Sequence, residues 1–180
     1  MRVLALDTST PVTSCALVED GAVLWEKELR EKAGDVLPAA LGDLQGVEGV
    51  AVGLGPGSFT GLRVGLAAAK ALSYARKLPI AGASSLRALA EGEPGLVCAA
   101  TEARRGELFV QLWQDGTPQG NVRIVRAAEL DLGGARLVRG TPRASLIARL
   151  CLPELRAKPY DAAACFALAP DYRQGFANLT

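Results

Sequence analysis

Residues Gly53 to Gly65 read GLGPGSFTGLRVG and follow directly on the apolar run Val47 to Leu54. A strand that ends in a glycine-rich turn and continues as a helix points to an α/β architecture, and no other stretch narrows the choice as far. Glycines in such a turn let backbone N–H groups approach an anion at the positive end of a helix, so the segment resembles a phosphate cradle. It matches neither nucleotide fingerprint. Walker A places its glycines five apart before Lys and Ser/Thr, whereas Gly61 stands six after Gly55 and precedes Leu62. Gly55, Gly57 and Gly61 are spaced G-x-G-x-x-x-G rather than as the dinucleotide motif, and the next strand ends at Ala81-Gly82 with no acidic residue for a ribose.

The chain has 180 residues and no histidine. That removes Ser/His/Asp and Cys/His nucleophiles and every His-containing zinc or iron site. A hydrolase built on Ser58 or Thr60 lacks any base except a carboxylate or Lys. Cys15, Cys98, Cys151 and Cys165 form no C-x-x-C pair, so they read as four structural thiols and no metal is expected. The turn therefore reads as one that holds a shape or a partner. Residues 1–100 carry nine Lys/Arg against eleven Asp/Glu and residues 101–180 carry eleven against eight, too small an imbalance for nucleic-acid binding by this chain alone. Apolar stretches are broken well before the roughly 20 residues of a membrane span. MRVLALDTST has too short an apolar region for a secretion signal, so a cytoplasmic location and no membrane contact are expected.

Val3 to Leu6, Thr13 to Val18 and Ala22 to Leu29 read as three antiparallel strands, with Asp20-Gly21 as a tight hairpin turn. Asp35 to Leu44 has the spacing of an amphipathic helix, and Ser58 is the N-cap of a helix reaching about Arg76. Pro79 to Ala81 is a short strand, followed by a helix from Ser84 or Ser85 to about Ala90. This order of meander and crossovers implies a mixed sheet flanked by helices. After the Gly-Glu-Pro-Gly linker at 92–95, strands are expected at Leu96 to Ala100, Glu107 to Gln114, Asn121 to Val125 and Ala135 to Val138. Asp115-Gly116 is a further turn and Pro142 to Leu150 a helix. The division is 1–93 and a smaller 94–180, with a C-terminal helix packing back on the first lobe.

Gly61, Gly65, Ala69 and Ser73 repeat at i+4 and are all small. Glycine inside a helix costs about 1 kcal/mol relative to Ala, so close backbone approach by another element must offset it. That element is either the chain's own core or another protein. Asp7-Thr8-Ser9-Thr10 lies between two strands, where hydroxyls and amides suit a phosphate, or where an Asx/Ser-Thr turn closes a hairpin. Arg104 and Arg105 suit phosphate or carboxylate, or form a solvated turn.

ALDTST at 5–10, VGLGPGSFTGLRVGLAAAKAL at 52–72, PIAGASSLRALA at 79–90 and ARRGE at 103–107 resemble the TsaB (YeaZ) proteins of tRNA threonylcarbamoyladenosine synthesis. PDYR at 170–173 resembles that family's C-terminal Pro/Tyr/Arg motif. The resemblance implies the actin-like ATPase (ribonuclease H-like) fold in two lobes, mixed sheets flanked by helices, with the C-terminal lobe reduced. It implies a non-catalytic scaffold that pairs with the transferase TsaD, is joined by the ATPase TsaE, and forms a homodimer when TsaD is absent. tRNA is reached only through the complex. TsaB resembles a degenerate relative of TsaD, whose His-rich metal motif this chain lacks. No cofactor of its own is implied, and ATP or ADP belongs at the subunit junction.

The implied partner surface is carried by the helices near 35–45 and 58–76: Leu37, Leu41, Gly57, Ser58, Phe59, Thr60, Gly61, Leu62, Arg63, Gly65, Ala69 and Ser73. Lys32-Ala33-Gly34 stands where relatives often have His-Ser-Glu, and Glu102 where they tend to have Asp. The alternative reading is a stand-alone actin-like ATPase or small-molecule kinase using Asp7 to Thr10 and Glu102 to Arg105.

Overall fold

The computed structural model describes residues 1–31, 33–40, 44–104 and 106–172, with four side chains of the first helix left aside. β1 (Arg2–Asp7), β2 (Thr13–Glu19) and β3 (Ala22–Leu29) form an antiparallel meander. Asp20 and Gly21 close its second hairpin with φ of 49° and 87°, the positive values that an Asp-Gly turn accepts. α1 (Ala33–Ala40) follows, and then β4 (Gly49–Gly53) pairs parallel to β1. α2 (Phe59–Arg76) crosses to β5 (Ile80–Ala83), giving a five-stranded sheet of order β3-β2-β1-β4-β5.

The second sheet repeats the device. α3 (Ser85–Ala90) leads to the meander β6 (Leu96–Glu102), β7 (Glu107–Gln114) and β8 (Thr117–Arg126), and β9 (Arg136–Arg139) returns parallel to β6. Its order is β8-β7-β6-β9. α4 (Ala144–Ala157) and α5 (Ala162–Ala167) complete the described chain. Two mixed sheets with helical cover make this an actin-like ATPase fold.

Alternation along the central strands supplies both faces of the first sheet. Leu4, Leu6, Val50 and Val52 point to one side, where Leu37, Leu66 and Ala69 of α1 and α2 cover them. Val3, Ala5, Ala16 and Ala51 point to the other side, which is covered by Ile147, Ala148, Cys151 and Leu155 of α4. The helix that follows the second sheet thus completes the first. Its N-terminus is fastened there: the Ala144 N–H donates to Ser14 Oγ at 2.9 Å and the Ser145 N–H to Glu26 Oε1 at 2.9 Å. Arg143 adds two bonds to Glu26 Oε2. These groups replace the missing cap from the chain's own preceding residue, since Arg143 makes no side-chain cap bond.

Three expectations from the sequence need correction. The first helix begins at Ala33 and Leu44 is already irregular; Leu41 lies outside the described residues. The run 47–54 contributes only Gly49–Gly53 as a strand; Val47 packs beside it, and Leu54 adds one last bond, its N–H donating to the Ala83 carbonyl at 2.8 Å. α4 passes through Pro153 and ends seven residues beyond Leu150. Pro153 faces solvent, where losing one helical hydrogen bond costs least, while Cys151 and Leu155 keep the apolar face buried.

Candidate functional site

The glycine corner is built around one buried carboxylate. Asp7 ends β1 and is fully buried. Its Oδ1 accepts the Ser9 N–H at 2.8 Å and the Ser9 hydroxyl at 2.6 Å, and its Oδ2 accepts the Ser85 hydroxyl at 2.6 Å. Ser85 Oγ in turn accepts the Gly55 N–H at 3.1 Å. Burial without a cation raises the Asp7 pKa, although the bonds from Ser85 and Ser9 pull it down. A Cβ on Gly53 would sit 1.9 Å from Asp7 Oδ2, so this glycine is what admits the carboxylate.

The turn and the helix are clamped together. Ser58 caps α2 through the Gly61 N–H, and its own N–H donates to the Ser9 carbonyl at 2.7 Å. Thr8 Oγ1 donates to the Gly61 carbonyl at 2.8 Å. A Cβ on Gly57 would lie 2.2 Å from the Ser9 carbonyl oxygen, on Gly61 2.1 Å from that of Thr8, and on Gly65 2.1 Å from Thr8 Oγ1. Ser73 Oγ donates to the Leu78 carbonyl at 2.7 Å.

These contacts settle the direction of the small-residue row. Gly57, Gly65, Ala69 and Ser73 are buried against the chain's own β1–β2 turn and sheet, with Gly61 half-buried there. Gly57, Gly65, Ala69 and Ser73 are thus not available to a partner, which corrects their placement on a partner surface, whereas Gly61 also lines an open cavity with Thr8, Ser58 and Thr60. Leu37 and Leu62 are likewise core side chains, because their apolar bulk fills the layer between helix and sheet. Among the expected interface residues, Ser58, Phe59, Thr60 and Arg63 are exposed.

The same geometry bears on the phosphate reading of Asp7, Thr8 and Ser9. All three are buried and their side chains bond to the chain itself. Thr10 is partly exposed and donates to the Val12 carbonyl; Arg104 is exposed, and Arg105 lies outside the described residues. Between the lobes, Thr10, Thr101 and Thr141 line a cavity of 230 Å³ beside an Arg139–Glu102 ion pair of 2.8 Å.

All four cysteines are buried. Burial raises Cys15 to about 11 and Cys151 to about 12, so these thiols stay protonated at neutral pH and serve packing. Among the described residues no acidic or cysteine cluster could hold a metal ion, and no helix is long and apolar enough to cross a membrane.

The surface that α2 does offer lies two positions out of phase with the expected row. Arg63, Ala67, Ala71 and Ala75 are exposed at i+4 spacing. Phe59 starts this face and Tyr74 stands near its end, 42% and 56% exposed. The sequence carried a signal for it: Arg63 and Lys70 mark the wet side of the helix. Phe166 and Tyr172, which rest on Tyr74 and Phe59, gave no sequence signal because they come from a different part of the chain.

Comparison with known proteins places this geometry. Residues 26–131 match the family described as TsaD: tRNA N6-adenosine threonylcarbamoyltransferase. An uncharacterized protein of Mycobacterium tuberculosis is 36% identical over 170 residues, covering 87% of this chain and 81% of that protein. The Escherichia coli tRNA threonylcarbamoyladenosine biosynthesis protein TsaB is 38% identical over 123 residues, 61% of this chain and 53% of that protein, so the match spans about half of its length. The structure of YeaZ from Pseudomonas aeruginosa shares the fold, with a TM-score of 0.72 and 24% identity over 95% of this chain and 99% of that one. With its GPGSFTGLR corner, its sheet order and these relatives taken together, the chain belongs to the TsaB (YeaZ) family of tRNA threonylcarbamoyladenosine biosynthesis.

Proposed function

We propose that this chain is a non-catalytic scaffold and activator subunit that pairs with TsaD in threonylcarbamoylation of N6 of the adenosine adjacent to the anticodon. One observation carries the reading: the buried Asp7 at the glycine corner spends both carboxylate oxygens on Ser9 and Ser85. The position best suited to chemistry is a structural keystone. The absence of histidine from all 180 residues supports the same conclusion.

The partner meets the outer face of α2, at Phe59, Thr60, Arg63, Ala67 and Ala71. Alanines let a facing helix approach closely, while the aromatic at the helix start supplies apolar anchoring. TsaE joins the pair, a second copy takes the same face when TsaD is absent, and tRNA is reached through the assembly. The chain holds no cofactor of its own; ATP or ADP sits at the subunit junction.

Mixing the purified chain with TsaD tests this by calorimetry and by reconstituted tRNA modification. Ala67→Arg is expected to keep the fold while weakening binding about 100-fold and abolishing stimulation. Native affinity in that variant would refute the surface. Micromolar ATP binding with turnover by the isolated chain would favour a stand-alone ATPase or kinase working from the interlobe cavity instead.

A further inference from the structure

The last described segment of the chain returns to α2 and touches it at both ends. Cys165 of α5 is buried, and Lys70 Nζ donates to the Phe166 carbonyl at 2.8 Å. Phe166 rests on Tyr74 with ring centroids 5.5 Å apart. Leu168 then packs into the apolar cluster beneath α2. Beyond it, the Asp171 N–H donates to the Leu54 carbonyl at 2.7 Å, which fastens the segment to the strand end before the glycine corner. The Tyr172 ring meets Phe59 at 4.9 Å between centroids. The Arg63 guanidinium lies 4.7 Å from the centroid of that same ring.

Phe59 is therefore held by two groups, one from its own helix and one from a segment more than a hundred residues away in sequence. The segment frames the outer face without hiding it. Phe59 remains 42% exposed and Tyr172 37%, and Ala67 and Ala71 between the two aromatic pairs are open to solvent. Four of the eight large hydrophobic side chains exposed among the described residues belong to these two pairs. A surface aromatic that is already fixed loses less rotational freedom when a partner covers it.

We propose that the segment Leu168–Tyr172 is the second half of the partner surface: Asp171 and Tyr172 hold Phe59 and Arg63 in the orientation the partner subunit reads, and that subunit contacts helix and segment together. This rests on the reading of α2 as the partner face. Tyr172 acts as a positioning residue, through a ring and not through its hydroxyl.

The test compares Phe59→Ala, Tyr172→Ala, Tyr172→Phe and the Phe59→Ala/Tyr172→Ala double variant of the full chain, by calorimetry against TsaD and by the ring proton shifts of Phe59 in the free protein. Tyr172→Ala is expected to weaken binding about tenfold with an unchanged melting temperature and to move the Phe59 ring shifts. Tyr172→Phe is expected to restore both, and the double variant to lose less affinity than the two single variants added together; full additivity would overturn the positioning role. Native affinity in Tyr172→Ala, beside weak binding in Phe59→Ala, would overturn the proposal while leaving the α2 face standing. Tighter binding by Tyr172→Ala would overturn it as well, by making the segment a cover. Failure of the unaltered chain to bind TsaD would instead bring down the α2 reading and the proposal with it.

Discussion

The two sides of α2 carry two rows of small residues at the same i+4 spacing, one beginning at Gly61 and the other at Arg63. Two positions turn a helix by about 200°, so the rows face opposite ways. The inner row meets backbone and hydroxyl atoms at distances that exclude any side chain beyond hydrogen at Gly61 and Gly65. The outer row is alanine after Arg63 and meets solvent. Small residues thus have two meanings on one helix: glycine where the chain's own turn presses in, alanine where the helix stays strong and the surface is kept low. Helix propensity agrees, since alanine costs nothing there and each glycine costs about 1 kcal/mol.

Substituting the inner row gives the sharpest test of that difference. Gly65→Val drives a methyl group into Thr8 and breaks the bond from Thr8 to the Gly61 carbonyl. A loss of about 3 kcal/mol, the upper end for overpacking, is expected, which for a chain of this size lowers the melting temperature by roughly 10 °C. An unchanged melt would show that the inner face yields as easily as the outer.

Asp7→Ala removes the anchor of the turn against which that face packs, stranding the Ser9 and Ser85 donors at a cost of about 2–3 kcal/mol. Its isosteric variant Asp7→Asn isolates the charge. A carboxyl whose pKa is raised in the folded state favours the fold fully below its unfolded value near about 3.9 and loses that advantage as pH rises through the folded value. Denaturant titrations from acid to neutral pH should therefore show a declining contribution in the native chain that Asp7→Asn lacks.

Ser73→Ala, at the far end of the inner row, removes only the bond to the Leu78 carbonyl. About 1 kcal/mol is expected from chemical denaturation, and a value near zero would mean that the row matters only where glycine stands. Ala71→Arg on the outer row should shift stability by less than about 0.5 kcal/mol while weakening TsaD binding about 100-fold in the same calorimetric assay. Destabilisation comparable to Gly65→Val would erase the distinction between the two faces.

Much of the fold could be read from local chemistry. The Asp-Gly turns, the Ser58 cap and the alternation along β1, β2 and β4 each state a backbone geometry in a few adjacent residues. The glycine spacing also correctly announced a close approach, but not to what. Whether Gly65 faces Thr8 or a foreign chain depends on how the helix is rotated over the sheet, a property of residues far apart in sequence. The charged Arg63 and Lys70 held that information, since they mark the face of α2 that meets solvent. The internal bonds of Asp7 to Ser9 were hidden for a related reason: hydroxyls and a carboxylate in a turn look the same in sequence whether they await a ligand or bind one another. Tyr172 on Phe59 could not be seen at all, since nothing local pairs them.

The docking of α4 on the first sheet has a consequence for how the molecule comes into being. Val3, Ala5, Ala16 and Ala51 lack most of their cover until residues 144–157 arrive, so during synthesis much of the rear of the first sheet stays wet until α4 has left the ribosome. Glu26 and Ser14 wait to receive a helix start more than a hundred residues downstream. A fragment cut between the lobes would inherit a greasy, unsheltered sheet, so the two lobes mature as one event.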